Sequence, residues 1–219
     1  MTSYKVITIA QQKGGAGKTT IAAHLATAFS QRGKRVAIID IDPQGSLTQW
    51  HNMREEEFGK DYTGMRLVTV SGWRLPSEIN MIRREVDIII VDSPPHIQTE
   101  TKTAIRNSDL VIIPVQPSPM DLWATNSTLE LAVTERIPHR VLMNRVVANS
   151  KLSKDMEKKF SNLMDTKIAN RISFASSMLE GKCITEVSPS SPGAIEIKDL
   201  LKEVTGLLFP STKNKEEAA

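Results

Sequence analysis

A ten-residue run, QQKGGAGKTT at positions 11–20, leaves few folds open to this chain. The short β-branched stretch before it, Tyr4 to Ala10, predicts a buried strand. The Ala- and Leu-rich stretch after it, Ile21 to Arg32, predicts a helix. Strand, glycine loop and helix together form the context that a phosphate-binding loop needs. Gly14, Gly15 and Gly17, with Ala16 among them, let the backbone approach phosphate oxygens and turn its N–H groups inward. A helix starting near Lys18 adds its positive end. Lys18 is placed to reach β- and γ-phosphates, the Thr19 hydroxyl to ligate Mg²⁺, and Thr20 to complete the nucleotide contacts. One position departs from the usual pattern. Gln12 stands where a glycine is expected, and Lys13 places a second cation inside the loop.

The rest of the chain alternates strand-like with helix-like runs, which predicts an α/β fold, a mostly parallel sheet with helices on both faces. Strands are expected at 35–40, 66–70, 86–92, 110–115 and 139–143. Helices are expected within 43–57 and over 76–84, 99–107, 120–135, 151–164, 173–180 and 194–208. Leu152, Met156, Phe160 and Leu163 mark one side of the helix over 151–164, and Trp50, Trp73 and Trp123 read as packing residues. No repeat, long linker or second core is visible, so residues 1–210 read as one domain and 211–219 as a polar disordered tail. Two acidic motifs, IIDIDPQG at 38–45 and IIIVDSPP at 88–95, fall at strand ends, the edge where open α/β sheets bind ligands. Asp92 after four apolar residues can hold a Mg²⁺ shell through water.

Composition narrows the class further. A single cysteine, Cys183, excludes a disulfide framework and leaves too few thiolates to bridge an iron–sulfur cluster between two chains. His51, His96 and His139 show no metal-ligand spacing. No apolar run is long enough to span a bilayer and the strand begins at once, which together predict a cytoplasmic protein. The net charge of +3 permits nucleic acid as a partner without demanding it.

With Lys13 in place, KGGAGKT resembles the deviant Walker-A loop of the ParA/MinD family of ATPases. VIIPVQPSPMDLWA at 111–124 and the C-terminal GKCI with its closing helix follow the small ParA proteins of that family. The resemblance runs from Lys5 to about Leu208. It implies an ATP- and Mg²⁺-dependent ATPase whose two copies sandwich ATP, with Lys13 reaching the partner's nucleotide. It further implies that Asp42 orients the attacking water, that Asp40 supports the metal shell and that Asn144 reads the adenine edge. The family function it implies is DNA partition: the ATP dimer binds DNA without sequence preference, on the nucleoid, until a ParB-type centromere-binding partner stimulates hydrolysis.

Non-specific DNA binding needs clustered cations. Between Arg140 and Lys182 basic residues outnumber acidic ones, which makes Lys151, Lys154, Lys158, Lys159, Lys167, Arg171 and Lys182 the candidates. Three other readings stand beside DNA partition. Positioning of a protein cargo by the same DNA-bound dimer is open. A membrane-bound MinD-like role lacks its basic C-terminal amphipathic helix. A ligase or kinase of the same fold lacks a second substrate constellation.

Overall fold

Every residue of β2 (Val36–Asp40), β4 (Ile88–Asp92) and β5 (Leu110–Val115) is buried. That burial requires cover on both faces of their sheet. The computed structural model describes residues 4–95 and 99–210. Adding β1 (Lys5–Ile9), β3 (Arg66–Thr69), β6 (His139–Val146) and β7 (Leu163–Ala169) completes one sheet in the order β3-β2-β4-β1-β5-β6-β7. All its pairings are parallel.

Alternate strand residues serve opposite layers. Ile7, Ile9, Ile38 and Ile90 pack under α1 (Lys18–Gln31), α2 (Ser46–Phe58), α7 (Ile172–Met178), α8 (Ile184–Val187) and α9 (Pro192–Leu208). Val6, Ala37, Ile39 and Ile89 face α3 (Leu75–Ile82) and α4 (Thr99–Arg106). Val111, Ile113 and Val141 face α5 (Pro119–Thr134) and α6 (Lys151–Glu157). Each such Val or Ile side chain stabilises the fold by roughly 1.5–3 kcal/mol relative to exposure, so three layers are favoured over two.

Three sequence expectations are corrected. The helix over 151–164 stops at Glu157, and Leu163 opens β7 instead. β7 has few β-branched residues, and its backbone is recruited by the free edge of β6. Met156 and Phe160 are buried as expected, whereas Leu152 is exposed. The short helix α8 follows from Glu186, which accepts from Cys183 N (2.8 Å) and receives the buried Arg54 guanidinium (2.6 and 2.9 Å). Trp50 packs at 3% exposure, but Trp73 and Trp123 stand out at 74% and 64%. The expected tail 211–219 and His96 lie outside the described residues.

His24, on α1, is buried with Nδ1 2.8 Å from Thr20 O and its ring edge against Phe174. Burial lowers its pKa from 6.5 to about 4. The folded chain therefore holds a neutral imidazole that the unfolded chain protonates first. The resulting stabilisation is full above pH 6.5 and is lost as pH falls towards 4. At most it amounts to about 3 kcal/mol. Chemical denaturation should show wild type losing more stability than His24→Leu across this window. Taking the difference between the two curves cancels every other titrating group, and parallel curves would clear His24 of the effect.

Candidate functional site

β1 ends at Ile9, Ala10 N still bonds Ile112 O (3.0 Å), and the chain then leaves the sheet into the glycine loop. Gly15 and Gly17 adopt left-handed backbone angles, φ 78° and 94°. Gly17 is the N-cap of α1 with no side-chain cap, so the first N–H groups of the helix stay available to an anion. A Cβ at Gly17 would collide with the Asn144 side-chain amide. That amide donates to Ala16 O (2.8 Å), and Gln116 Nε2 donates to Gly15 O (2.6 Å). The loop is thus clamped from β6 and from the end of β5 before any ligand arrives, which lowers the entropy cost of binding.

The acidic residues meet the loop through strand register. Asp92 on β4 is the in-register neighbour of Ile9 on one side and Asp40 on the other. Asp92 is 1% exposed; its Oδ2 accepts from Thr19 Oγ (2.6 Å), and its Oδ1 is buried without a hydrogen-bond partner. Burial pushes its carboxyl up to about 7, against the opposing effects of the Thr19 bond and the nearby Lys18. Burial also lowers the Lys18 ammonium, opposed by Asp92 and Asp42. An orphaned buried oxygen beside a threonine hydroxyl suits a hydrated Mg²⁺. No trio of His, Cys, Asp or Glu gathers as a metal cage among the described residues. Thr19 and water held by Asp92 would therefore carry the protein's share of that shell.

Asp40 makes three hydrogen bonds of its own. Its Oδ1 accepts from Asp42 N (3.1 Å) and its Oδ2 from Thr48 N and Oγ (2.9 and 2.8 Å). The carboxylate is fully buried and turned towards the 42–48 segment, so its visible work is to hold Asp42 in place. Asp42 is half-buried, accepts from Gln44 N (2.9 Å), and lines a cleft of about 470 Å³ with Gly14, Lys18, Thr19 and Arg145. A second cavity of about 200 Å³ opens past Gly17 and Thr20, bordered by Asn144, Arg145 and Phe174.

Lys13, Gly14, Gly15, Ala16, Gly17, Lys18, Thr19, Thr20, Asp42 and Asp92 are thus brought to one sheet edge. Lys13 is turned onto its own chain: Nζ bonds Asp121 Oδ2 (2.5 Å). Asp121 is fully buried at the start of α5 and also accepts from Ser118 Oγ. The seven basic candidates are not gathered to the same degree. Lys158, Lys167, Arg171 and Lys182 are ion-paired with Asp155, Glu157, Glu196 and Glu57, which leaves Lys151, Lys154 and Lys159 without an ion pair among the described residues. Sequence reasoning passed over Gln116 and Arg145. Arg145 holds a strained left-handed conformation (φ 52°) at the mouth of both cavities, and no local pattern announces that.

The family model described as "CobQ/CobB/MinD/ParA nucleotide binding domain" matches residues 7–186. The chain belongs to this family. Among curated relatives of this ParA/MinD chain is the maintenance of carboxysome distribution protein A of Halothiobacillus neapolitanus. The two are 29% identical over 93% of this chain and 99% of the relative. The chromosome-partitioning ATPase Soj of Thermus thermophilus is 27% identical over 90% of this chain and 94% of its own. Solved structures share the fold. The septum site-determining protein MinD of Pyrococcus horikoshii, complexed with Mg-ADP, superposes with TM-score 0.80 at 19% identity, covering 93% of this chain and 97% of that one. A Cyanothece McdA variant in complex with ATP gives 0.79 at 19% identity, covering 95% and 97%. No helix among the described residues is long and apolar enough to cross a membrane.

Proposed function

We propose that this ParA/MinD chain is a partition ATPase that dimerises around ATP, rides on non-specific DNA and hydrolyses ATP when a centromere-binding partner of the ParB type engages it. The observation that carries the reading is Lys13. It is a second cation in the loop bordering a cleft that Lys18 already serves, and its ammonium is held by Asp121. One chain's phosphates do not need both lysines, and the resemblance to the family's loop assigns the other, once it leaves Asp121, to a partner's nucleotide. Lys18 and the loop N–H groups hold the β- and γ-phosphates, and Asp42, set by Asp40, positions the attacking water. Mg²⁺ bound by Thr19 and through water by Asp92 would neutralise phosphate charge. The base takes the cavity beside Asn144, whose amide has one hydrogen beyond its bond to Ala16 O.

A second reading keeps the same cycle and changes the cargo to a protein body. Its support is the relative named for carboxysome distribution, which aligns over 99% of its own length. Both readings share one test, binding to random-sequence duplex DNA with ATP and with ADP, beside anionic liposomes. DNA binding that appears only with ATP is expected. Binding to liposomes instead would favour a membrane-riding ATPase, and binding to neither would return the search to small-molecule substrates.

A further inference from the structure

At the far end of α1 from the nucleotide cleft, a groove of about 480 Å³ runs between the end of that helix and α9. It is lined by Phe29, Leu201, Thr205 and Phe209 and rimmed by four cations, Arg32, Lys34, Lys198 and Lys202. None of the four has an ion-pair partner among the described residues. The nearby Arg35 differs in being tied to Asp87 (2.7 Å). Lys198 Nζ donates to Pro189 O (2.6 Å). The acidic residues of α9 do not compensate. Glu203 is occupied by Asp165 N and Thr166 N (2.9 and 3.0 Å), and neither it nor Asp199 lines the groove. Lys198, Leu201, Lys202 and Thr205 recur at helical spacing, so the charge forms a stripe along one helix face.

We propose that this groove, rather than α6, seats the phosphate backbone of duplex DNA. The inference rests on the DNA-riding reading above and locates its surface. Two observations favour a polyphosphate over an amphipathic acidic peptide. Of the three apolar lining residues, Phe29 and Leu201 are already covered at 2% and 5% exposure, so an apolar guest would gain burial only over Phe209, at 40%. What the groove presents outward is four cations without an ion pair among the described residues, Lys34 alone feeling the Arg35-bound Asp87, and clustered cations are what counterion release requires. Its position also fits an ATP-dependent cycle. α1 starts at the phosphate loop and carries about 20 Å to the groove. The nucleotide edge therefore remains free for a second copy, and two joined chains present eight cations where one presents four. Where one duplex spans both grooves, the salt dependence of phosphate contacts makes the doubled set convert weak binding into firm binding.

The test uses the full chain, random-sequence duplex DNA and saturating ATP, with affinity measured across a salt series. The variant Lys34→Gln/Lys202→Gln removes two exposed cations whose side chains have no hydrogen-bond or ion-pair partner among the described residues. It should weaken DNA binding at least about tenfold and flatten the log–log salt slope by about 3 to 4 per dimer. ATP-dependent dimerisation and basal ATP turnover should not change. The control variant Lys154→Gln/Lys159→Gln should bind within about twofold of wild type. Binding by the groove variant at wild-type affinity and slope would overturn the assignment, as would equal losses in both variants. If that unchanged DNA binding came with weakened binding of polyglutamate, the groove would belong to an acidic peptide. Failure of wild type to bind DNA with ATP would sink the underlying reading instead, so the two failures are distinguishable.

Discussion

Asp42→Ala is expected to bind ATP within about threefold of wild type and to hydrolyse it at least about a hundredfold more slowly. The structure explains why the two properties should separate. In the proposed mechanism the phosphate grip comes from Lys18, Thr19 and the helix N-terminus; none hydrogen-bonds to Asp42, which acts on Lys18 only through its charge. The Asp42 side chain makes one local contact, to Gln44 N, and otherwise faces the cleft. Its removal leaves the buried Asp40 still holding the backbone of residue 42. Titration calorimetry for binding and single-turnover hydrolysis at saturating ATP would measure both properties. Turnover near the wild-type rate would remove Asp42 from the mechanism. A loss of binding as large as the loss of rate would make it a loop-building residue.

The second large effect is expected at Lys13. Lys13→Gln should retain ATP binding by the single chain but lose ATP-dependent dimerisation and, with it, more than about 90% of hydrolysis. Glutamine is chosen because Asp121 is buried, with Oδ1 unsatisfied, and removing the Lys13 donor would leave its carboxylate with Ser118 Oγ alone. An amide can still donate to Asp121 while carrying no charge to a partner's nucleotide. Sedimentation of the variant with a slowly hydrolysed ATP analogue reads the dimer directly. A stable ATP dimer with normal turnover would confine Lys13 to its observed contact with Asp121. The unchanged thermal midpoint expected without nucleotide guards against a folding defect.

Some of this was legible from residues alone because it rests on short-range chemistry. The glycine loop needs left-handed backbone at Gly15 and Gly17, and only glycine takes it without strain. The strands before Asp40 and Asp92 are continuous apolar runs because both faces are covered, and such runs show without knowing their neighbours. By contrast, β7 exists because β6 offers an unpaired edge, and a strand made by its partner leaves little trace in its own composition. The exposure of Trp73 and Trp123 likewise depends on which faces the packed elements leave uncovered.

At the site, sequence determined the ligand class, the phosphate loop and the acidic residues, since residue type and spacing carry that chemistry. Tertiary structure decided what those residues touch. Register alone sets Asp92 level with Asp40, and side-chain contacts turn Asp40 towards Asp42 and Lys13 towards Asp121. Charge is the clearest case. The run of lysines between 151 and 182 is partly cancelled by acids brought from α2, α6 and α9. Meanwhile Arg32 and Lys34 join Lys198 and Lys202 across more than 160 residues of chain. Electrostatic potential follows distance in space, and that distance is fixed only when the helices are packed.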